Sequence, residues 1–231
     1  MARVMGRVCR KPESDNAVNS YCIYKWGYAM IDKEHFERFW RGNYNNIPPL
    51  GHVLRERFFN DRWFRIHSLP KSKRYADDED EMKIILDRQN RLIDDLIGEL
   101  NNYLLLLYAF SETATSKCFF TSDNAIVLDS VQLDKVLPDD YDTECYLNLF
   151  MINKSWKAGS IDDYLKAVAN DEPVYYDNSC EVYGFLLIDI KQNRLIAPYD
   201  GGVDVFLNTT QEKNVFKLKY KDWLSPTESG L

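Results

Sequence analysis

A capped amphipathic helix that runs directly into an apolar strand constrains the fold more than any other stretch. From Asp78 to Ile97 the residues Met82, Ile85, Leu86, Ile93, Leu96 and Ile97 recur at helical spacing and make one apolar stripe. Asp78 with Glu81 has the spacing of a capping box, the acids of the first turn suit the positive end of the helix dipole, and Gly98 supplies a stop. Tyr103 to Phe110 follows without a single charge, as a strand buried on both faces would. Upstream, Arg62 to His67 alternates, with Phe64 and Ile66 on one face and Trp63, Arg65 and His67 on the other. Strand, long helix and apolar strand predict a crossover unit, and such units are right-handed.

The remaining pattern mixes helices and strands throughout. Asp32 can cap a helix carrying Phe36, Phe39 and Trp40, with Gly42 and Asn43 as its stop, and Leu50 to Phe59 predicts a second short helix. Cys118 to Thr121, Ala125 to Leu128 and Leu147 to Ile152 are candidate strands. Ser160 with Asp163 predicts the cap of a helix bearing Ile161, Tyr164, Leu165 and Val168. Val182 to Ile190 and Arg194 to Ala197 predict a β-hairpin through Lys191, Gln192 and Asn193. A turn at Tyr199-Asp-Gly-Gly202 leads into a strand, Val203 to Leu207. Thr209 with Glu212 caps a last helix whose Phe216, Tyr220, Trp223 and Leu224 point inward until Pro226. The expectation is one α+β domain over residues 30–231, a mostly antiparallel sheet with helices packed on it, and no internal repeat. A split near Ser111–Ser122 is the less favoured division. Residues 1–29 carry Arg3, Arg7, Arg10 and Lys11 but no apolar h-region of a signal peptide. They are expected to be a loosely attached extension, explained by an upstream translation start, with an edge strand through Tyr21–Tyr24 as the alternative.

Charge and cysteine usage narrow the function classes. The 231 residues hold 29 Lys+Arg against 36 Asp+Glu, net −7, which argues against general nucleic-acid binding. No long uncharged apolar stretch exists, so a membrane partner is not expected. Five scattered cysteines without a Cys-x-x-Cys pair predict a reducing, cytoplasmic setting.

The motif search yields mostly absences. His35, His52 and His67 have no metal-ligand spacing, and no phosphate-cradling glycine loop or nucleophile elbow is present, so no cofactor is expected. Gly201-Gly202 is more cheaply turn chemistry than a nucleotide site. Two acid-x-lysine triplets suggest a metal-dependent nuclease or small hydrolase: in Glu81-Met-Lys83 the acid already has a capping role, and Asp189-Ile-Lys191, with Asp177 or Glu181 as further acids, is better placed.

Charge segregation is more informative. Residues 77–99 hold nine acids against three bases, net −6, and residues 129–145 hold six against one, net −5. Residues 52–74 hold seven bases against two acids, net +5, which would suit an anionic ligand near Arg65 and Arg74. Charge runs are usually solvated faces. Asp139-Asp-Tyr-Asp-Thr-Glu144 is nonetheless an acidic turn with an aromatic at its centre, a combination suited to a tight complex with a basic protein.

Two long strings carry a resemblance: Trp63 to Tyr75 running on to Asn90, and Ala197 to Phe206 together with Lys219 to Pro226. Through them the chain resembles an uncharacterised family of small acidic bacterial cytoplasmic proteins, similar in character to immunity proteins of polymorphic toxin systems. That resemblance implies a non-enzymatic protein that binds a cognate toxin's catalytic domain and covers its active-site cleft. The expected contact residues are Asp139, Asp140, Tyr141, Asp142 and Glu144, then Asp77, Asp78 and Asp80. The expected partner is a toxin domain with a basic cleft, and the second reading is the metal-dependent enzyme at Asp189 and Lys191.

Overall fold

The computed structural model describes residues 24–25, 28–45, 47–57, 61–111, 126–132, 146–176 and 180–225. The chain divides into two compact units, Met1–Met30 and Ile31–Leu231. In the first, β1 (Tyr24–Lys25) pairs antiparallel with β2 (Tyr28–Ala29) as a two-stranded sheet. Residues 21–23 of the alternative edge strand lie outside the described residues.

The second unit runs α1 (Lys33–Tyr44), α2 (Gly51–Arg57), β3 (Trp63–His67), α3 (Glu79–Ile97), β4 (Asn102–Ser111), β5 (Ile126–Gln132) and β6 (Tyr146–Ser155). It continues through α4 (Asp162–Ala169), β7 (Val174–Tyr176), β8 (Cys180–Asp189), β9 (Arg194–Tyr199), β10 (Gly202–Phe206) and α5 (Thr210–Lys219). The strands form one sheet in the order β3-β10-β9-β8-β4-β6-β5, with β7 added on β8. Every neighbouring pair is antiparallel. This is a single α+β domain with an antiparallel sheet, as the sequence pattern predicts. Four antiparallel pairings separate β3 from β4, so these two strands point the same way and α3 crosses between them over three intervening strands.

β4 shows why its sequence is apolar throughout. Leu105 and Leu107 face a core shared with Leu92, Ile93 and Leu96 of α3, Leu165 of α4, and Phe216 of α5. Leu104 and Leu106 face the opposite core, built with Phe36, Trp40 and Tyr44 of α1 and Val53 and Leu54 of α2. The sheet is therefore covered on both faces, and β4 is a strand that must be apolar at every position. Among the described residues no helix is long and apolar enough to cross a membrane.

Two local expectations are corrected. α1 does not stop at Gly42 and Asn43 but runs to Tyr44, with Asn45 in the left-handed conformation (φ 48°) as its end. Two contacts outweigh the stop signal: Asn43 Nδ2 donates to the Phe39 carbonyl, and the Tyr44 ring stacks 4.5 Å from that of Trp40 in the core. α2 is described over Gly51–Arg57, and the expected continuation to Phe59 lies outside the described residues. Ser160 does not cap α4; Ile161 occupies that position with no side-chain cap, and Asp162 instead accepts a bond from Asn90 Nδ2 of α3 (2.8 Å). The other predicted caps form, at Asp32, Asp78 and Thr209. The candidate strand Cys118–Thr121 and the stop at Pro226 lie outside the described residues.

Candidate functional site

The two strings that carry the family resemblance meet at one end of the sheet. β10 pairs with β3 in a register that sets Asp204 opposite Arg65 and Gly202 opposite His67. The tip of the β9–β10 hairpin then lies under the segment leaving β3, where Ser68 N donates to the Gly201 carbonyl (3.2 Å). A Cβ on Gly202 would sit 2.0 Å from the Ile66 carbonyl oxygen, so the strands can approach only around a residue without a side chain. This close backbone approach explains Gly202, whereas a Cβ on Gly201 would meet the Tyr199 ring at 2.9 Å.

Polar side chains gather on this frame in three tied groups. Asp204 accepts Arg65 Nε and a second guanidinium nitrogen (both 2.8 Å) and Trp63 Nε1 (3.0 Å), while the guanidinium lies 4.2 Å from the centroid of the Tyr199 ring. The pair is nearly out of solvent, with side chains 14% and 4% exposed. Burial alone would lower the Arg65 pKa, but the bonds to Asp204 outweigh it and raise it. Burial pushes the Tyr199 hydroxyl pKa up, against the opposing pull of Arg65. In the second group Asp200 Oδ2 accepts Arg74 Nε (2.5 Å) and the Tyr75 hydroxyl (2.8 Å). In the third, Lys73 Nζ bonds Asp77 (2.6 Å) and Glu81, holding the ammonium above the usual lysine range.

His67 stands apart from these ties. Its Nε2 is buried without a hydrogen-bond partner among the described residues, and burial followed by the nearby Arg65 lowers its pKa. The imidazole is thereby kept neutral at neutral pH. His35 lies on the exposed side of α1, where its backbone N–H is capped by Asp32.

These ties reassign the sequence candidates. Asp139, Asp140, Tyr141, Asp142 and Glu144 lie outside the described residues. Asp77, Asp78 and Asp80 are together at the exposed start of α3, but with different duties: Asp77 holds Lys73, Asp78 caps the helix, and the Asp80 side chain makes no bond among the described residues. The basic strip does not present a free row of cations, since Arg65, Lys73 and Arg74 each have a carboxylate partner. Asp189 accepts the N–H groups of Lys191 and Gln192 (2.9 and 3.1 Å), the duty of a turn residue at the end of β8. Glu181 is eight residues away at the other end of the same strand, about 27 Å at the usual rise, and Asp177 lies outside the described residues. Asp189 and Glu181 therefore do not converge, and among the described residues no three His, Cys, Asp or Glu side chains are grouped to hold a metal ion. Asp200, Asp204, Tyr199 and Tyr75 were not singled out as site residues. Their only signal was membership of the two strings, because their partners are more than a hundred residues away in the chain.

The class these features define is an α+β scaffold in which Arg65, Lys73 and Arg74 are tied to carboxylates of the same chain beside an exposed run of acids and a tyrosine, Tyr75. The chain belongs to the family described as Domain of unknown function (DUF3885), whose model matches residues 50–228 and so includes both strings. No curated protein and no solved structure matches the chain.

Proposed function

We propose that this protein is an immunity-type inhibitor: it binds a cognate bacterial toxin's catalytic domain and covers the active-site cleft without transforming a substrate. One observation supports the reading above the others. The cations Arg65, Lys73 and Arg74 are each bound to carboxylates of their own chain, while Glu79 and Asp80 face solvent with no partner among the described residues. Such a surface spends its polar groups on rigidity and keeps negative charge for an encounter with a basic protein. Toxin domains that bind anionic substrates have basic clefts, and carboxylates from this chain would take the place of the substrate's phosphates. The acidic run of Asp139, Asp140, Tyr141, Asp142 and Glu144 supplies the second part of the contact, and the complex forms in the cytoplasm of the producing cell.

The test is co-expression of the full chain with the C-terminal toxin domain encoded by the adjacent gene. Rescue of growth and a one-to-one complex on gel filtration are expected. Unrelieved toxicity together with no complex would reject the reading. Within a complex, reversing the charges of Asp139, Asp140, Asp142 and Glu144 should slow association and weaken protection.

A further inference from the structure

We propose that Arg74 and Tyr75 form a preset contact centre for a protein partner whose surface offers a pocket for a tyrosine ring bordered by lysine or arginine. The inference rests on the inhibitor reading above and names the residues that carry its binding. Both side chains stand in solvent: Arg74 keeps 64% of its side chain exposed and Tyr75 is 42% exposed. Both are nevertheless fixed. They donate to the same Asp200 oxygen, and the guanidinium lies 5.4 Å from the centroid of the Tyr75 ring. Asp200 is itself anchored at the hairpin tip with its side chain only 10% exposed.

Exposed long or aromatic side chains ordinarily lose rotamer freedom when a partner arrives, and that loss is subtracted from affinity. Here the fold has already imposed it. Tyrosine and arginine, with tryptophan, are the residue types that dominate interface energetics. A tie needed only for the fold has no reason to leave the ring and the guanidinium in water. The segment is already held by Ser68 on Gly201, by Lys73 on Asp77 and Glu81, and by Leu69 packed with Ile85 and Ala169. The neighbours set the partner's chemistry. Arg74 is answered by Asp200, with Asp171 close by, so the centre carries no excess positive charge. Asp77, Asp78, Glu79 and Asp80 follow immediately, so the rim is negative and its complement is basic.

The experiment measures binding of the full chain to the adjacent gene's toxin domain, with thermal unfolding of each variant alongside. Tyr75→Ala and Arg74→Ala should each weaken binding at least tenfold while the unfolding midpoint moves by less than about 3 °C. Tyr75→Phe separates contact from scaffolding, because it keeps the ring and removes the hydroxyl tie. A contact centre predicts that Phe retains most of the affinity that Ala loses. Equal losses in Phe and Ala would show a merely structural tie and overturn the proposal. If the wild-type chain binds and both alanine variants bind within twofold of it, this centre is wrong and the inhibitor reading survives. If the wild-type chain does not bind, both fall.

Discussion

Asp204 accepts three hydrogen bonds, two from one guanidinium and one from an indole, in a position that leaves its carboxylate almost no solvent. Removing one partner of such a pair leaves the other charge buried and uncompensated, which costs about 3–5 kcal/mol. Asp204→Ala is expected to lose about 3 kcal/mol in urea denaturation, and Arg65→Met combined with Asp204→Leu should lose less than either single change. A loss below about 1 kcal/mol for Asp204→Ala would mean that water reaches the guanidinium and the pair is not truly buried. His67, two residues along the same strand face, gives a prediction in pH. Burial and Arg65 hold its folded-state pKa below the ordinary 6.5, with Asp204 opposing. Above pH 6.5 the ring is neutral in both states and contributes no pH dependence. As pH falls through 6.5 the unfolded chain takes a proton that the folded chain refuses, so stability declines until the folded pKa is passed. The fall in unfolding midpoint between pH 7.5 and 5.5 should therefore be smaller in His67→Gln than in the wild type; identical slopes would show that the imidazole titrates freely.

The start of α3 separates what a residue does for its helix from what it offers a partner. Asp78 accepts the Glu81 N–H (2.9 Å), and Glu81 reaches back past the cap to the Asp77 N–H (2.8 Å) while also holding Lys73. Asp78→Ala should cost about 1 kcal/mol by loss of the cap, whereas Asp80→Ala should stay within about 0.5 kcal/mol, read from denaturation midpoints. This element was legible because its signals are local: a cap, a stripe and a stop within twenty residues. The same locality explains why β4 and the β8–β9 hairpin could be expected. Ser160 misled because capping spacing is also met by residues in a turn, and here the turn before α4 is held instead by Gly159 N on Asn90 (2.8 Å). The cluster at the sheet end was not legible. Arg65 meets Asp204, and Arg74 meets Asp200, only because β10 inserts between β3 and β9, and alternation within a strand carries no record of strand order. Arg65 and Arg74 of the basic strip therefore look free in sequence, because their counter-charges lie more than a hundred residues downstream.

Across the whole molecule this pairing redistributes charge. Of the net +5 in residues 52–74, the charges of Arg65, Lys73 and Arg74 are answered by Asp204, Asp77, Glu81 and Asp200, so the positive run largely disappears as a surface feature. The chain's net charge of −7 gives a field of negative sign, to which Glu79 and Asp80 contribute without a partner among the described residues. Such a field acts on encounter more than on the final contact, and salt screens it over about 10 Å at 0.1 M. Binding to a basic toxin domain should accordingly show an association rate that falls about tenfold or more between 0.05 and 0.5 M salt, with the dissociation rate changing far less. Glu79→Lys with Asp80→Lys should lower the association rate at low salt and flatten its salt dependence, with the unfolding midpoint falling modestly because two cations then sit at the positive end of the α3 dipole, about 0.3–1 kcal/mol each. The Tyr75→Ala change acts in the opposite sense, raising the dissociation rate and leaving the salt slope alone, because a ring in a pocket is a contact and not a field. Stopped-flow or surface-binding kinetics on these variants at several salt concentrations resolve the two contributions. An association rate indifferent to salt would mean that negative charge does not guide this protein to its partner, and the acidic surface would then serve only solubility.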